Sequence, residues 1–370
     1  MKSLLFFSNP FGYGPTATMM AVLRHFENVK SVKIYVIARG LCKEILNNHK
    51  NIEIIDIDQR DVSEIKNLLK KHSEPYVISS LNRFAVLAAN SLNIPSCFID
   101  TLTYLWDKVP EDYLKADMYY ASDFPTVPEK ISGHENAIIT PLIIDNYKYL
   151  TCPQNRPRNG VLLQLGGLKS PLSDEPPIDY LDLISIALNN IDKPVTVCGG
   201  TDGINYLKKT VISPNIEFAS LSKDDFLCKL SCSELCISTP GLNTTIESIF
   251  FKTPINFIMP TNLSQWVNHN IFKQFSANGN DVTWESIINK ELDIDGLPEY
   301  DAIIKINQMA KNIKASDQYI NNFIKKFQKT VSEIPDITKQ STLLKTYGTN
   351  GSGFIFEDIC KKWSINNATT

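Results

Sequence analysis

Short apolar runs and helical stripes alternate over residues 1–150. Leu4–Ser8, Val32–Ala38, Ile52–Ile57, Tyr76–Ser80 and Ser96–Asp100 are compact apolar runs that predict strands. Between them the spacing changes. Met19, Val22, Leu23 and Phe26 follow the i, i+3, i+4, i+7 rule and predict a helix over 15–27, and Val62, Ile65, Leu68 and Leu69 predict another before Tyr76. Strands alternating with helices at this spacing imply βαβ crossovers and a parallel sheet. The polar, Pro-rich segment 151–160 interrupts the rhythm and reads as an interdomain linker. Beyond it the alternation restarts, with strands predicted at Val161–Leu165, Val195–Cys198, Ile216–Ala219, Leu235–Ser238 and Ile255–Ile258. A polar helical stretch occupies 300–331. A Gly-rich loop over 348–353 then leads into a last helix at Phe354–Trp363.

Length and composition fit this reading. The 370 residues exceed what one ordinary core holds, and 43% apolar with 21% charged residues suits a globular chain. Lys plus Arg (37) and Asp plus Glu (40) nearly cancel to a formal charge of −3, which gives no basic face for nucleic acid. No run approaches a membrane span, and the apolar start breaks at Asn9-Pro10 without a cleavage site. The eight cysteines form no framework and read as buried free thiols, implying a reducing cytoplasm.

Two strand–helix junctions carry candidate chemistry. In the first, Gly12, Tyr13, Gly14 and Thr16 sit between the first strand and first helix, where glycine admits a ligand to the backbone and Pro15 suits the first helical turn. The G-x-G-x-x-A spacing there also matches a dinucleotide fingerprint. Asn9-Pro10-Phe11 displace it from the strand end, however, and no acid follows the second strand. The second junction, Ser238-Thr239-Pro240-Gly241-Leu242-Asn243-Thr244-Thr245-Ile246-Glu247, follows a strand and opens a helix. Gly241 permits close approach, and Asn243, Thr244 and Thr245 surround free first-turn N–H groups, which suits a pyrophosphate. Glu247, one turn on, either accepts from ribose hydroxyls or simply complements the helix dipole.

The segment 235–270 resembles the GT-B glycosyltransferases. These often carry a Gly-x-Asn-Ser/Thr-Thr-x-Glu helix start, then a Pro-led buried strand ending in Pro, here Pro254 to Pro260, and a Gln-x-x-Asn helix, here Gln265 and Asn268. The peptidoglycan N-acetylglucosaminyltransferase and the antibiotic and plant glycosyltransferases show variants of it. The resemblance implies an α/β chain of GT-B architecture: two Rossmann-like parallel-sheet domains facing a cleft. Residues 1–150 would form the acceptor-side domain, rejoined by a C-terminal helix at 354–366, and 158–335 the nucleotide-sugar domain. The implied activity is sugar transfer from a nucleoside diphosphate donor to a small-molecule acceptor, inverting and metal-independent, with no cofactor besides the donor. A nucleotide-sugar hydrolase or epimerase, or an inactive binding protein, are the alternatives on the same fold.

Residue by residue, the resemblance places the donor on Gly166, Gly167, Ser220, Leu221, Thr239, Gly241, Asn243, Thr244, Thr245, Glu247 and Gln265, with Gln265 at the sugar and Ser220-Leu221 at the base. The chain departs from the family at Pro15 and Thr239, where histidine is common, and at Ser264, where an acid is. With Pro15 unable to act as a base, Asp100 at the end of its strand is the candidate catalytic base, beside the aromatic segment Thr101–Trp106; a helix N-cap is its other reading. Asp56, Asp58, Asp293 and Asp295 mimic D-x-D metal motifs but are expected to be acidic strand or turn ends, and no metal site is expected.

Overall fold

The computed structural model describes residues 1–10, 12–46, 52–145, 157–168 and 175–366. It divides into two compact units, Met1–Tyr149 with Tyr347–Thr370, and Leu150–Thr346. Most of the expected linker, Thr151 to Arg156, lies outside the described residues.

The first unit runs β1 (Lys2–Ser8), α1 (Gly14–Leu23), β2 (Val32–Ile37), α2 (Leu41–Ile45), β3 (Glu53–Ile55) and α3 (Val62–Leu69). It continues β4 (Pro75–Ser80), α4 (Arg83–Asn90), β5 (Ser96–Asp100), β6 (Met118–Ser122), α5 (Val127–Ile131) and β7 (Ala137–Thr140). The strands pair in the order β3-β2-β1-β4-β5-β6-β7, and every pairing is parallel. Period-two alternation splits the core between the two faces. Leu4, Phe6, Ile78, Ile99 and Tyr120 pack with Met19, Val22 and Phe26 of the α1 side; Leu5, Phe7, Ile37 and Val77 meet Ile65, Leu69, Ala85 and Ala89 of α3 and α4. Asp61 caps α3 and Asn82 caps α4 with side-chain oxygens.

The second unit runs β8 (Val161–Gln164), α6 (Ile178–Leu188), β9 (Val195–Cys198), α7 (Thr201–Thr210), β10 (Ile216–Ala219) and α8 (Lys223–Cys232). Then come β11 (Leu235–Ser238), α9 (Leu242–Phe250), β12 (Ile255–Phe257), α10 (Leu263–Gln274) and α11 (Trp284–Ile288). It closes with α12 (Glu299–Lys314), α13 (Asp317–Ser332), α14 (Ile337–Gln340) and α15 (Thr342–Tyr347), whose last residue falls to the first unit. Its parallel sheet has the order β10-β9-β8-β11-β12. The core beneath it joins Leu163, Val197 and Ile237 to Leu181, Ile184, Trp284, Ile306, Phe323 and Phe327.

Three differences from the sequence reading have physical causes. Strands β6 and β7 were not foreseen: β6 reads Met-Tyr-Tyr-Ala-Ser, with no Val, Ile or Leu to mark an apolar run, and β7 is a four-residue edge strand that is only partly buried. The expected Gly348–Gly353 loop is shorter, because α16 (Gly351–Lys362) starts at Gly351. Glycine suits this close packing. A Cβ at Gly351 would overlap the Pro141 carbonyl, so the helix start lies directly on the segment after β7. The cysteines also differ. Six of those described are free thiols, but Cys228 is disulfide-bonded, against the expectation of free thiols throughout.

Candidate functional site

Both sheets are doubly wound, so each has a switch point where strand order reverses, at β1/β4 in the first and β8/β11 in the second. Ligands in open parallel sheets bind beyond the carboxyl ends of strands at such points. The two glycine-bearing junctions singled out above follow β1 and β11, one at each switch point.

At the second switch point β11 ends in Ser238, and the turn Thr239-Pro240-Gly241 opens α9. Thr239 and Pro240 are buried, and the turn is closed by Gly241 N–H donating to the Thr239 carbonyl at 2.6 Å. Asn268 Nδ2 of α10 donates to the Pro240 carbonyl at 3.0 Å and fixes the turn from below. Helices α8 and α10 start with capping side chains, Ser222 and Asn262; α9 starts on Gly241 with none. Gly241 has φ −79°, and a Cβ there would touch nothing nearer than 3.8 Å. The backbone therefore does not demand glycine. The missing side chain leaves open space in front of the positive helix end, as an anion site needs. Asn243 and Thr244 are half-buried in the first turn, whereas the buried Thr245 hydroxyl donates back to the Gly241 carbonyl at 2.7 Å and serves the helix.

The neighbouring turns come close by the same means. Gly166 has φ +70° and its N–H donates to Gln164 Oε1 at 3.0 Å. A Cβ at Gly200 would overlap the Gly167 carbonyl, so the turns after β8 and β9 stack backbone on backbone. Ser220 is exposed and Leu221 half-buried after β10. Gln265 turns Oε1 to the N–H and hydroxyl of Thr261, at 2.7 and 3.0 Å.

Glu247 is buried, and its two carboxylate oxygens accept from Lys223 Nζ at 2.6 and 2.7 Å. The side chains are 6% and 4% exposed, so this is a closed ion pair between α8 and α9. Lys223 was missed in the sequence. Asp224 and Asp225 beside it already supply the acidic residues a first turn favours, so nothing local marked the lysine as paired with a distant acid.

The first switch point is held by side chains. Ser8 Oγ lies 3.0 Å from Thr16 Oγ1, Asn82 Nδ2 donates to the Ser8 carbonyl at 3.3 Å, and Asn9 Nδ2 to the Leu81 carbonyl at 3.1 Å. Gly12 takes φ +67°, Gly14 is exposed, and Tyr13 donates its hydroxyl to Glu44 at 2.8 Å. Thr16 is wholly buried and faces β1 rather than the loop.

Asp100 closes β5. It is 0% exposed, and its carboxylate accepts from Tyr119 OH at 2.6 Å, Trp106 Nε1 at 2.9 Å and Leu102 N–H at 2.6 Å. Burial pushes its pKa above the usual carboxylate range, while those hydrogen bonds pull the other way. Its three donors pin the turn Thr101–Trp106 to the end of β5. The remaining acids have ordinary partners: Asp56 pairs with Arg39 and Lys43, Asp58 accepts from Arg60 N–H, and Asp295 accepts from Trp266 Nε1. Among the described residues no group of three or more His, Cys, Asp or Glu is disposed to hold a metal. His269 is buried, with Nε2 2.8 Å from Asp281.

No protein-family model matches this chain, and no curated protein matches it. Solved structures do. Os79 from O. sativa in complex with UDP aligns over 97% of this chain and 100% of its own, with TM-score 0.58 and 12% identity. The S. aureus MnaA–UDP co-structure aligns over 100% and 99%, with TM-score 0.54 and 13% identity. UGT2 of Phytolacca americana, complexed with UDP-2fluoro-glucose and pterostilbene, aligns over 98% and 100%, with TM-score 0.51 and 12% identity. The likeness is one of fold, and with the two parallel sheets it defines the chain as having the GT-B architecture.

Proposed function

We propose that the protein is a glycosyltransferase that moves a sugar from a uridine diphosphate donor to a small-molecule acceptor. The observation that carries this reading is the uncapped start of α9 behind Gly241, at the switch point of the second sheet. The UDP in the Os79 and MnaA structures and the UDP-2fluoro-glucose and pterostilbene in UGT2 supply the donor and acceptor classes.

In this reading the acceptor attacks the anomeric carbon as its bond to the diphosphate breaks, inverting the centre, and the acceptor's proton passes to solvent. Negative charge grows on the departing diphosphate. The α9 N-terminus, with Asn243 and Thr244 in its first turn, stabilises that charge without a metal ion. Gln265 meets the sugar and the Ser220-Leu221 backbone the base. The Gly12–Gly14 loop belongs to the acceptor side. Calorimetry with UDP, ADP and GDP tests the donor: UDP should bind most tightly, and a folded protein that binds none of the three refutes the reading. Turnover should persist in excess chelator; a complete loss restored by a divalent cation refutes the metal-independent mechanism.

The burial of Asp100 favours a second reading, a nucleotide-sugar-binding protein without transfer activity. Release of UDP from a UDP-sugar across a panel of small hydroxyl and amine acceptors separates the two. Among the described residues no helix is long and apolar enough to cross a membrane. The six free thiols support a cytoplasmic site of action and the Cys228 disulfide opposes it, so thiol titration of protein isolated under alkylating conditions decides that point.

A further inference from the structure

We infer that Lys223 is a specificity-determining residue of the donor site, reading the ribose hydroxyls jointly with Glu247. The inference rests on the donor-binding reading of the second domain.

Lys223 opens α8 directly after Ser220-Leu221-Ser222, and Glu247 lies in the second turn of α9. Both helices follow parallel strands of one sheet, so both start at its carboxyl edge. The ion pair therefore joins the segment proposed for the base to the helix proposed for the diphosphate. The ribose is the part of a nucleoside diphosphate that lies between those two groups.

Helix stability does not explain the placement. A lysine in a first turn is repelled by the helix dipole, and Asp224 and Asp225 already supply the acidic residues that such a turn favours. Burying an ammonium and a carboxylate costs more than an apolar pair of the same size in many proteins. Hydrogen-bond capacity gives the pair a use. An ammonium has three N–H donors, and Lys223 directs its ammonium to Glu247 Oε1 and Oε2. The remaining donor meets no acceptor among the described residues; the nearest recorded group is the Phe226 ring, 5.4 Å from Nζ to its centroid. A carboxylate alone only accepts, and a ribose hydroxyl both donates and accepts. Lysine beside glutamate offers both halves of that exchange, with discrimination against a sugar lacking the hydroxyl because the buried donor is then left unpaired.

The probes are UDP and 2′-deoxy-UDP, titrated calorimetrically into the full chain. The wild-type protein should prefer UDP at least tenfold. Lys223→Met should bring the ratio close to one, with the fold checked by circular dichroism. Should Lys223→Met fail to fold with Glu247 unpaired, the double variant Lys223→Met/Glu247→Gln removes both charges and is read in the same way. A variant that keeps the wild-type preference overturns the inference, as does a wild-type protein that binds both nucleotides equally. A folded wild-type protein that binds no nucleoside diphosphate overturns the donor-site reading itself, and this inference with it.

Discussion

At the carboxyl edge of the first sheet, side chains hold the turns together: Thr16 on Ser8, Asn82 on the Ser8 carbonyl, Tyr13 on Glu44, and three donors on Asp100. At the same edge of the second sheet, glycine and backbone form the turns, with Gly166 and Gly167 stacked against Gly199 and Gly200, and Gly241 before an uncapped helix. Most of these side chains satisfy one another, although Ser80 Oγ at the end of β4 and Ser122 Oγ at the end of β6 are buried without a hydrogen-bond partner among the described residues. Backbone turns leave N–H groups and space, which a diphosphate can fill. The contrast between a domain braced at its switch point and one open there is one of degree, since α1 too opens without a capping side chain, and it supports the proposal that the donor binds at the second.

The largest expected effect lies on the braced side. Asp100→Ala leaves Tyr119 OH, Trp106 Nε1 and the Leu102 N–H buried without their acceptor, and should cost about 3 kcal/mol or more in urea denaturation. Donor affinity, measured on the folded fraction, should not change. Weakened UDP binding in that variant would break the division between the edges.

Glu247→Gln comes next, on the open side. It keeps the shape, halves the acceptor capacity, and should weaken UDP binding by about 1–3 kcal/mol by calorimetry. Alanine is the poorer test, because it strands the Lys223 ammonium in a buried site. Unchanged affinity in the glutamine variant would remove Glu247 from the site.

Gly241→Asp sets stability against binding. The backbone at φ −79° and ψ 135° accepts any residue, and an N-cap aspartate should stabilise α9 by a few tenths of a kcal/mol over glycine. The same carboxylate would stand where the diphosphate is proposed to bind, so UDP affinity should fall about tenfold or more, or about 1.4 kcal/mol. Parallel thermal and calorimetric titrations read both. A variant that binds as well as wild type would show that α9 holds no anion.

A smaller effect comes from pH. The Asp100 pKa is raised in the folded state by burial, so the folded protein holds this proton more tightly than the unfolded chain does. That contribution is fully present below the unfolded carboxylate range and is lost as pH rises through the folded value. The stability difference between wild type and Asp100→Asn should therefore shrink as pH rises above the unfolded carboxylate range, as seen by urea midpoints; a difference that grows would contradict the sign. Thr16→Val is the mildest test. It should cost about 1 kcal/mol for the lost Ser8 contact and leave UDP binding intact.

Much of this was legible in the chain wherever the signal is local. Ser96–Asp100 and Leu235–Ser238 are strands at the bounds their apolar runs suggest, and Gly241 stands before a helix as its motif implies. Local patterns fail where the partner is distant. Asp100 was recognised as the end of a strand, but its role depends on Tyr119, which lies on a strand that no alternation announced. Glu247 was recognised as facing something, but Lys223 lies 24 positions earlier, in a helix that reads from sequence as an ordinary polar surface. The Gly-Ser-Gly at 351–353 looks like a loop until the Pro141 carbonyl shows why a helix there needs small residues.

The return of α16 to the first unit has a consequence for how that unit is assembled. Ser352 Oγ bonds to the Ile144 carbonyl across 208 positions, and Ile355, Ile359 and Trp363 complete the face on which Phe26 and Tyr120 lie. During synthesis the seven strands of that sheet emerge before the whole second domain, and the helix that covers them emerges after it. The first sheet must therefore wait, with one apolar flank uncovered, while its neighbour is made. Loop-closure entropy grows only slowly with length, so the delay costs little at equilibrium. It lengthens the interval in which exposed apolar surface can meet the wrong partner, and places the risk of aggregation in the braced domain rather than the open one.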